Sequence, residues 1–198
     1  MKSQFPFPTV IRLTYYLRAL EFLLTQNKGE TSSDELAKLT NLSPEQVRKD
    51  LAYFGSFGKR GKGYPLPKLY EKIKELIGIN KEWRLCLIGL GNLGKAIVRF
   101  KGFPERKLRF YAIFENDPKK IGGEFQGIRI FDVNKLPEVA RELSLDIAVF
   151  TIPDDQVDKV YELVRKTNIR GILNFTSAPL HSEKDLFVKN VSIAQELE

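Results

Sequence analysis

The chain has 198 residues, 42% of them hydrophobic and 29% charged, the composition of a globular protein long enough for one or two buried cores. No apolar run approaches the roughly 20 residues that span a bilayer, and Pro6, Pro8 and Arg12 interrupt any signal-peptide core near the N-terminus. A single cysteine, Cys86, and a single histidine, His181, exclude an intrachain disulfide framework and a Cys/His zinc cluster within one subunit, so we expect a cytoplasmic protein with no metal and no membrane segment.

The net charge of +7 is uneven. Residues 1–80 hold 13 Lys/Arg against 8 Asp/Glu, whereas residues 81–198 hold 19 against 17. Ser56 to Lys68 carries four bases and no acid, and that concentration suits a polyanionic partner better than general solubility does.

In chain order, Val10 to Gln26 repeats Ile11, Leu13, Leu17, Leu20, Phe22, Leu23 and Leu24, the pattern of a helix with one broad apolar face. TSSDELAKLTNL opens with a serine cap and early acids that suit the positive end of a helix dipole, with Leu36, Ala37 and Leu39 expected inward. SPEQVRKDLAYFG follows. Ser43 suits the N-cap, Pro44 the first helical position, and Gln46 completes a capping box. Two short helices joined by TNLS read as a helix-turn-helix. On the second helix Val47, Leu51 and Phe54 share the buried face, leaving Gln46, Arg48, Lys49 and Tyr53 for the major groove, where Arg and Lys reach guanine and Gln pairs with adenine. GSFGKRGKGYPLPKL then sets Lys59, Arg60 and Lys62 among four glycines, the make-up of a basic wing along phosphates or a minor groove. The alternative is a small helical dimerisation domain with solvated charges. PLPKLYEKIKELIGI closes the unit with Leu69, Ile73, Leu76 and Ile77 inward, and Gly78 to Lys81 links it to the next.

Trp83 to Ile88 reads as a buried parallel strand running straight into Gly89-Leu90-Gly91-Asn92-Leu93-Gly94 and a helix. A bare GxGxxG is a weak signal; a strand before it and a helix after it are what a dinucleotide fingerprint requires. Gly89 permits the tight turn, Gly91 admits a pyrophosphate to the backbone, and Gly94 packs helix on strand, with the anion on free helix N–H groups. LRFYAIFENDP is a second apolar strand, ending at Glu115, 21 residues after Gly94. Glu115 is placed to accept the adenosine ribose hydroxyls and to repel the 2′-phosphate of NADP, which favours NAD(H). Asp117 is the second candidate, or a cap for the turn at Pro118.

Strands at 128–131, 146–151 and 170–175 alternate with helices at Val133 to Leu143 and Asp154 to Thr167, which predicts a Rossmann-like parallel sheet. Loops at the carboxyl ends of its strands line the ligand crevice, nominating Thr151, Ile152 and Pro153, and Asn174, Phe175 and Thr176. The predicted fold class is thus α/β with an N-terminal winged helix-turn-helix over 1–80 and a Rossmann-like parallel sheet over 81–198.

A dehydrogenase needs a proton relay and groups that orient a substrate. His181 lies in the loop-like SAPLHSEKD, and Tyr161 precedes Arg165 with no Tyr-x-x-x-Lys pair. No stretch remains for a substrate domain, so the cofactor reads as a signal and the chain as no enzyme. A small NAD-dependent oxidoreductase and a CoA- or SAM-binding regulator stay open on these residues alone.

YYLRALEFL, QVRKDLAYFGSFGKRGKGY, GLGNLGKAI, FKGF, FENDPKKIG and GILNF together resemble the redox-sensing transcriptional repressors called Rex, and the resemblance covers nearly the whole chain. It implies a homodimer that binds palindromic operator DNA when NADH is low and is released by NADH, with NAD+ competing but coupling more weakly. It implies Arg48, Lys49 and Tyr53 on the recognition helix beside Ser43 and Gln46, and Lys59, Arg60 and Lys62 on the wing. The glycine turn with Leu90, Asn92 and Leu93 would meet the pyrophosphate, and Glu115 the ribose, with Asp117 and Lys120 of FENDPKKIG beside it. Arg18 matches an arginine that couples the domains in some members. Phe100 stands where many members have a tyrosine that reaches the partner's nicotinamide pocket, and Ser192 replaces an aspartate paired with it, so the charged relay of those members is not available in that form. Family members usually continue into a longer C-terminal helix exchanged between subunits; here either a short one is exchanged at the dimer interface or residues are missing.

Overall fold

A computed structural model of the chain describes residues 7–55, 63–192 and 194–195. Chain contacts divide it into two compact units, Met1–Asn80 and Lys81–Glu198. The first holds α1 (Phe7–Thr25), β1 (Glu30–Thr31), α2 (Ser33–Thr40), α3 (Pro44–Ala52), β2 (Tyr64–Pro65) and α4 (Leu66–Ile77). Leu13, Tyr16, Leu17, Leu20 and Leu23 recur at helical spacing on the buried face of α1, against Leu36 of α2, Val47 and Leu51 of α3, and Leu66, Leu69 and Ile73 of α4. Ile11, Phe22 and Leu39, expected inward, are exposed instead. On α1, Ile11 and Phe22 stand two residues from Leu13 and Leu20, about 200° round the helix axis, and so point away from the buried face, where Tyr16 takes a core position and donates its hydroxyl to Asp50.

Caps set the helix starts. Ser32 accepts from the Glu35 N–H and Ser43 from the Gln46 N–H, satisfying orphan donors of α2 and α3. The capping box expected at α3 is only half made, because the Gln46 side chain turns to Asp50. Asn41 closes α2 in the left-handed region. The pairing of β1 with β2, Glu30 opposite Pro65 and Thr31 opposite Tyr64, adds a two-residue ribbon ahead of α4.

The second unit runs β3 (Trp83–Ile88), α5 (Asn92–Arg99), α6 (Gly102–Glu105), β4 (Leu108–Glu115), β5 (Glu124–Phe125), β6 (Ile128–Asp132), α7 (Leu136–Glu142), β7 (Ile147–Phe150), α8 (Val157–Val164), β8 (Gly171–Asn174) and β9 (Phe187–Asn190). Short 3-10 turns lead into α7 and α8. The seven strands order as β5-β6-β4-β3-β7-β8-β9, every pairing parallel except the antiparallel β5–β6. From β3 the chain steps outward through β4 to β6, then returns to the other side of β3 to lay down β7, β8 and β9. The strand order therefore reverses between β3 and β7, the place where sheets of this topology bind ligands in a crevice at the strands' carboxyl ends. Successive residues feed opposite faces. Cys86, Ile88, Phe114 and Phe150 join the layer under α7 and α8, while Leu85, Leu87, Ile113 and Val149 join the other. Ala194 and Gln195 lie in a turn, and the expected C-terminal helix otherwise falls on residues outside those described.

Candidate functional site

The turn after β3 is built by close approach. The Gly89 N–H donates to the Phe114 carbonyl at 2.9 Å, and its φ of +94° with a Cβ position 2.7 Å from the Thr151 carbonyl requires glycine. A Cβ on Gly94 would stand 2.3 Å from the Gly89 carbonyl. Gly91 differs. It is the N-cap of α5 with ordinary dihedrals, φ −81° and ψ −167°, and among the described residues no atom beyond its chain neighbours lies within 4 Å of where its Cβ would be. Neither backbone strain nor packing accounts for that glycine. What remains is open space above an α5 N-terminus without a side-chain cap, where first-turn N–H groups lack helical partners. Such a cradle suits an anion.

The crevice walls come from the strand ends. Thr151 Oγ1 donates to the Gly89 carbonyl at 2.7 Å and Ile152 packs beside the same residue, so both brace the turn, while Pro153 is exposed just beyond. Glu115, 7% exposed, ends β4 with its carboxylate turned to the glycine turn. Its Oε2 accepts from Lys120 Nζ at 2.6 Å and the Leu90 N–H at 3.2 Å, and its Oε1 from the Asn116 N–H at 3.0 Å. Burial would push this carboxyl's pKa up, but Lys120 and the two backbone donors outweigh it and hold the group below the usual carboxylate range. Asp117 instead caps its own turn, its Oδ1 accepting from the Lys119 N–H at 3.0 Å.

Asn174, expected to line the crevice, is fully buried; Nδ2 donates to the Ala178 carbonyl and Asn190 Oδ1, and Oδ1 accepts from the backbone N–H and the hydroxyl of Thr176. All four positions of its amide are filled, so the side chain shapes the loop after β8. Thr176 is held in the same network and Phe175 packs partly against the sheet. Two residues the sequence did not single out meet at the rim, where Asn116 Nδ2 donates to Gln156 Oε1 at 2.9 Å and ties the loop after β4 to that after β7. Only the fold brings them together.

In the first unit the second helix of the helix-turn-helix is fixed by a buried carboxylate. Asp50, with no exposed surface, accepts from Arg12 Nε at 2.5 Å and Nη2 at 2.7 Å, from the Tyr16 hydroxyl at 2.7 Å and from Gln46 Nε2 at 2.8 Å. Burial would raise this carboxyl's pKa; Arg12, Tyr16 and Gln46 more than offset it and lower it, and burial together with the Asp50 hydrogen bond raises that of Tyr16. A spacing signal existed, since Asp50 falls between Val47 and Leu51 on the buried face. The half-buried Gln46 side chain is therefore engaged by Asp50 and not free for the base edge expected of it. Arg48 is also tied, Nη1 to Ser33 Oγ and Nη2 to Glu45 Oε1, both at 2.9 Å. Lys49 is exposed and makes no hydrogen bond or ion pair with the described residues, and Tyr53 is 46% exposed at the helix end. Lys59, Arg60 and Lys62 lie outside the described residues.

Of the remaining candidates, Arg18 is exposed on α1. Phe100, 61% exposed, stacks edge-on with Phe103 at 5.2 Å, and Ser192 accepts from the Gln195 N–H. Among the described residues no cluster of three metal-binding side chains occurs, and no helix is long and apolar enough to cross a membrane.

Two family models match the chain, one described as a putative DNA-binding protein N-terminus over residues 4–52 and one as a CoA binding domain over residues 80–178. The redox-sensing transcriptional repressor Rex 1 of Thermotoga maritima is 39% identical over 198 residues, covering all of this chain and 94% of its own length. The corresponding Rex of Thermus thermophilus is 39% identical over 186 residues, 94% of this chain and 87% of its own. The crystal structure of RSP with β-NAD+ and operator DNA superposes with a TM-score of 0.94 at 29% identity, covering 99% of this chain and 90% of that one. RSP with β-NADH gives 0.89 at 28% identity, covering 99% and 92%.

Proposed function

The chain belongs to the Rex family of redox-sensing transcriptional repressors, and we propose that it binds palindromic operator DNA as a homodimer when NADH is scarce and leaves it when NADH fills the crevice between β3 and β7. The observation that carries the reading is Gly91, a glycine that the protein's own packing does not require, at the mouth of an uncapped helix and beside the buried Glu115. The residues fit a dinucleotide. First-turn N–H groups of α5 would hold the pyrophosphate, Gly91 leaves the backbone room for it, and Glu115 would accept ribose hydroxyls. NAD(H) supplies no chemistry to a substrate here; it is the signal.

Lys49 is the side chain best placed to read a guanine edge, with Arg48 following if its bonds to Ser33 and Glu45 exchange for DNA. Ser43 acts through the helix start. Lys59, Arg60 and Lys62 of the wing are proposed phosphate or minor-groove contacts. In the dimer, one state sets the two reading helices about 34–36 Å apart, one turn of duplex, and the NADH-filled state does not. Moving such an equilibrium from 1:99 to 99:1 takes about 5.5 kcal/mol of differential binding, which two nucleotide sites would share. Arg18, Phe100 and Ser192 are proposed to lie on the coupling path, but without the tyrosine and aspartate of other members that path carries no ionised pair. Repression in the cytoplasm follows from an operator-binding role.

A gel shift with a palindromic operator tests the reading. Release by NADH at concentrations where NAD+ leaves the complex intact supports it; a complex indifferent to NADH overturns it. The match to a CoA binding domain favours a second reading, a coenzyme A ligand in the same crevice. A melting panel separates the two, the larger stabilisation falling to NADH or to coenzyme A.

A further inference from the structure

We propose that Lys120 is a displaceable guard on the ribose-recognising carboxylate: the hydroxyls of a bound adenosine ribose take its place on Glu115, and its ammonium, left at the crevice mouth, sets how far a 2′-phosphate is excluded. This rests on the reading of the crevice as a dinucleotide site. A carboxylate offers about four acceptor positions. Among the described residues three of those on Glu115 are taken, by Lys120 Nζ at 2.6 Å, the Leu90 N–H at 3.2 Å and the Asn116 N–H at 3.0 Å. A ribose presents two neighbouring hydroxyls, so one donor has to leave for both to bind.

Two of the donors are backbone groups. The Leu90 N–H belongs to the turn that Gly89 and Gly94 pack tightly, and Asn116 follows Glu115 directly in the chain. Lys120 is the exception. Its side chain is 35% exposed on a flexible four-carbon stem, and its ammonium already lies 3.5 Å from the Leu90 carbonyl and 3.9 Å from Asp117 Oδ2. A lysine turned off Glu115 keeps those two oxygens as neighbours, so a positive charge stays beside the ribose. The simple rule that an acid at this position repels a 2′-phosphate treats Glu115 alone. Here acid and base form a pair, and exclusion of NADP(H) is weaker than an unpaired carboxylate would give.

Calorimetric titration of the full chain with NADH and with NADPH tests this on the wild type, Lys120→Met, Glu115→Gln and the double variant. Lys120→Met is expected to bind NADH at least as well as the wild type and to weaken NADPH about three- to tenfold, the worth of one partly exposed ion pair. Glu115→Gln is expected to weaken NADH and strengthen NADPH, and the double variant to lose that gain. An NADH-to-NADPH preference unmoved by Lys120→Met overturns the inference. So does loss of NADH binding in Lys120→Met at an unchanged melting temperature, or a Glu115→Gln variant with no gain for NADPH. Lys120→Gln replaces the methionine variant if that one does not fold. Wild type that binds neither coenzyme sinks the dinucleotide reading beneath the inference, a result distinct from all the others.

Discussion

Asp50 of the second helix-turn-helix helix receives two N–H groups of the Arg12 guanidinium, at 2.5 and 2.7 Å, with its own side chain wholly buried. The pair fastens α3 to α1 across 38 residues of sequence. Asp50→Ala leaves a largely buried guanidinium and the Tyr16 hydroxyl without their acceptor. Breaking a buried pair in this way costs about 3–5 kcal/mol, and the partial exposure of Arg12 puts the expected loss at the lower end. Urea denaturation checks it; a loss under about 1 kcal/mol would contradict the assignment.

The same carboxyl gives a pH dependence with a definite sign. The folded-state pKa of Asp50 is lowered, so its contribution is fully present above the unfolded value near 4 and is lost as pH falls through the lower folded value. Arg12, Tyr16, Gln46 and Thr9 face it, and Arg12 keeps its charge throughout the window. Stability of the wild type is expected to fall steeply with acid below about pH 4, and Asp50→Asn to flatten that slope. Parallel acid profiles would contradict the account. Glu115, also lowered, adds to the same limb.

The glycines of the β3 turn separate structure from binding. Gly91→Val adds a side chain into open space at an ordinary φ, so the melting temperature should hold while NADH binding is lost and operator binding persists. Gly94→Ala drives a Cβ toward the Gly89 carbonyl and should cost about 1–3 kcal/mol of stability. If Gly91→Val kept NADH binding, or abolished DNA binding with the fold intact, the sensor reading would be wrong.

Lys49→Ala and Gln46→Ala should behave differently, though the two residues lie close together on one short helix. Lys49 is exposed, so its loss should weaken operator binding by about 1–3 kcal/mol and leave NADH affinity unchanged. Gln46 serves Asp50, so its loss should cost about 1 kcal/mol of stability and leave base preference alone. Binding to operators altered one base pair at a time distinguishes them.

How legible these features are in the sequence follows from what each one depends on. The strands β3 and β4 are buried on both faces, so they write themselves as continuous apolar runs, and the glycine turn sits where strand meets helix. The caps at Ser32 and Ser43 are local and therefore readable. Strand β9 buries only Val188, and β1 and β2 have two residues each, too little to leave a period. Asp50 with Arg12, Asn116 with Gln156 and Asn174 with Asn190 are pairs made by the fold between residues that look like ordinary surface polar groups. Gln46 misleads for that reason: its surroundings, and not its type, decide which way it faces.

If each ligand is felt at the other's site, free-energy coupling makes the effect reciprocal. Titrating NADH into the protein with and without palindromic operator measures it. Operator is expected to weaken NADH binding by the same factor as NADH weakens operator binding. Equal NADH affinities in the two titrations would contradict it.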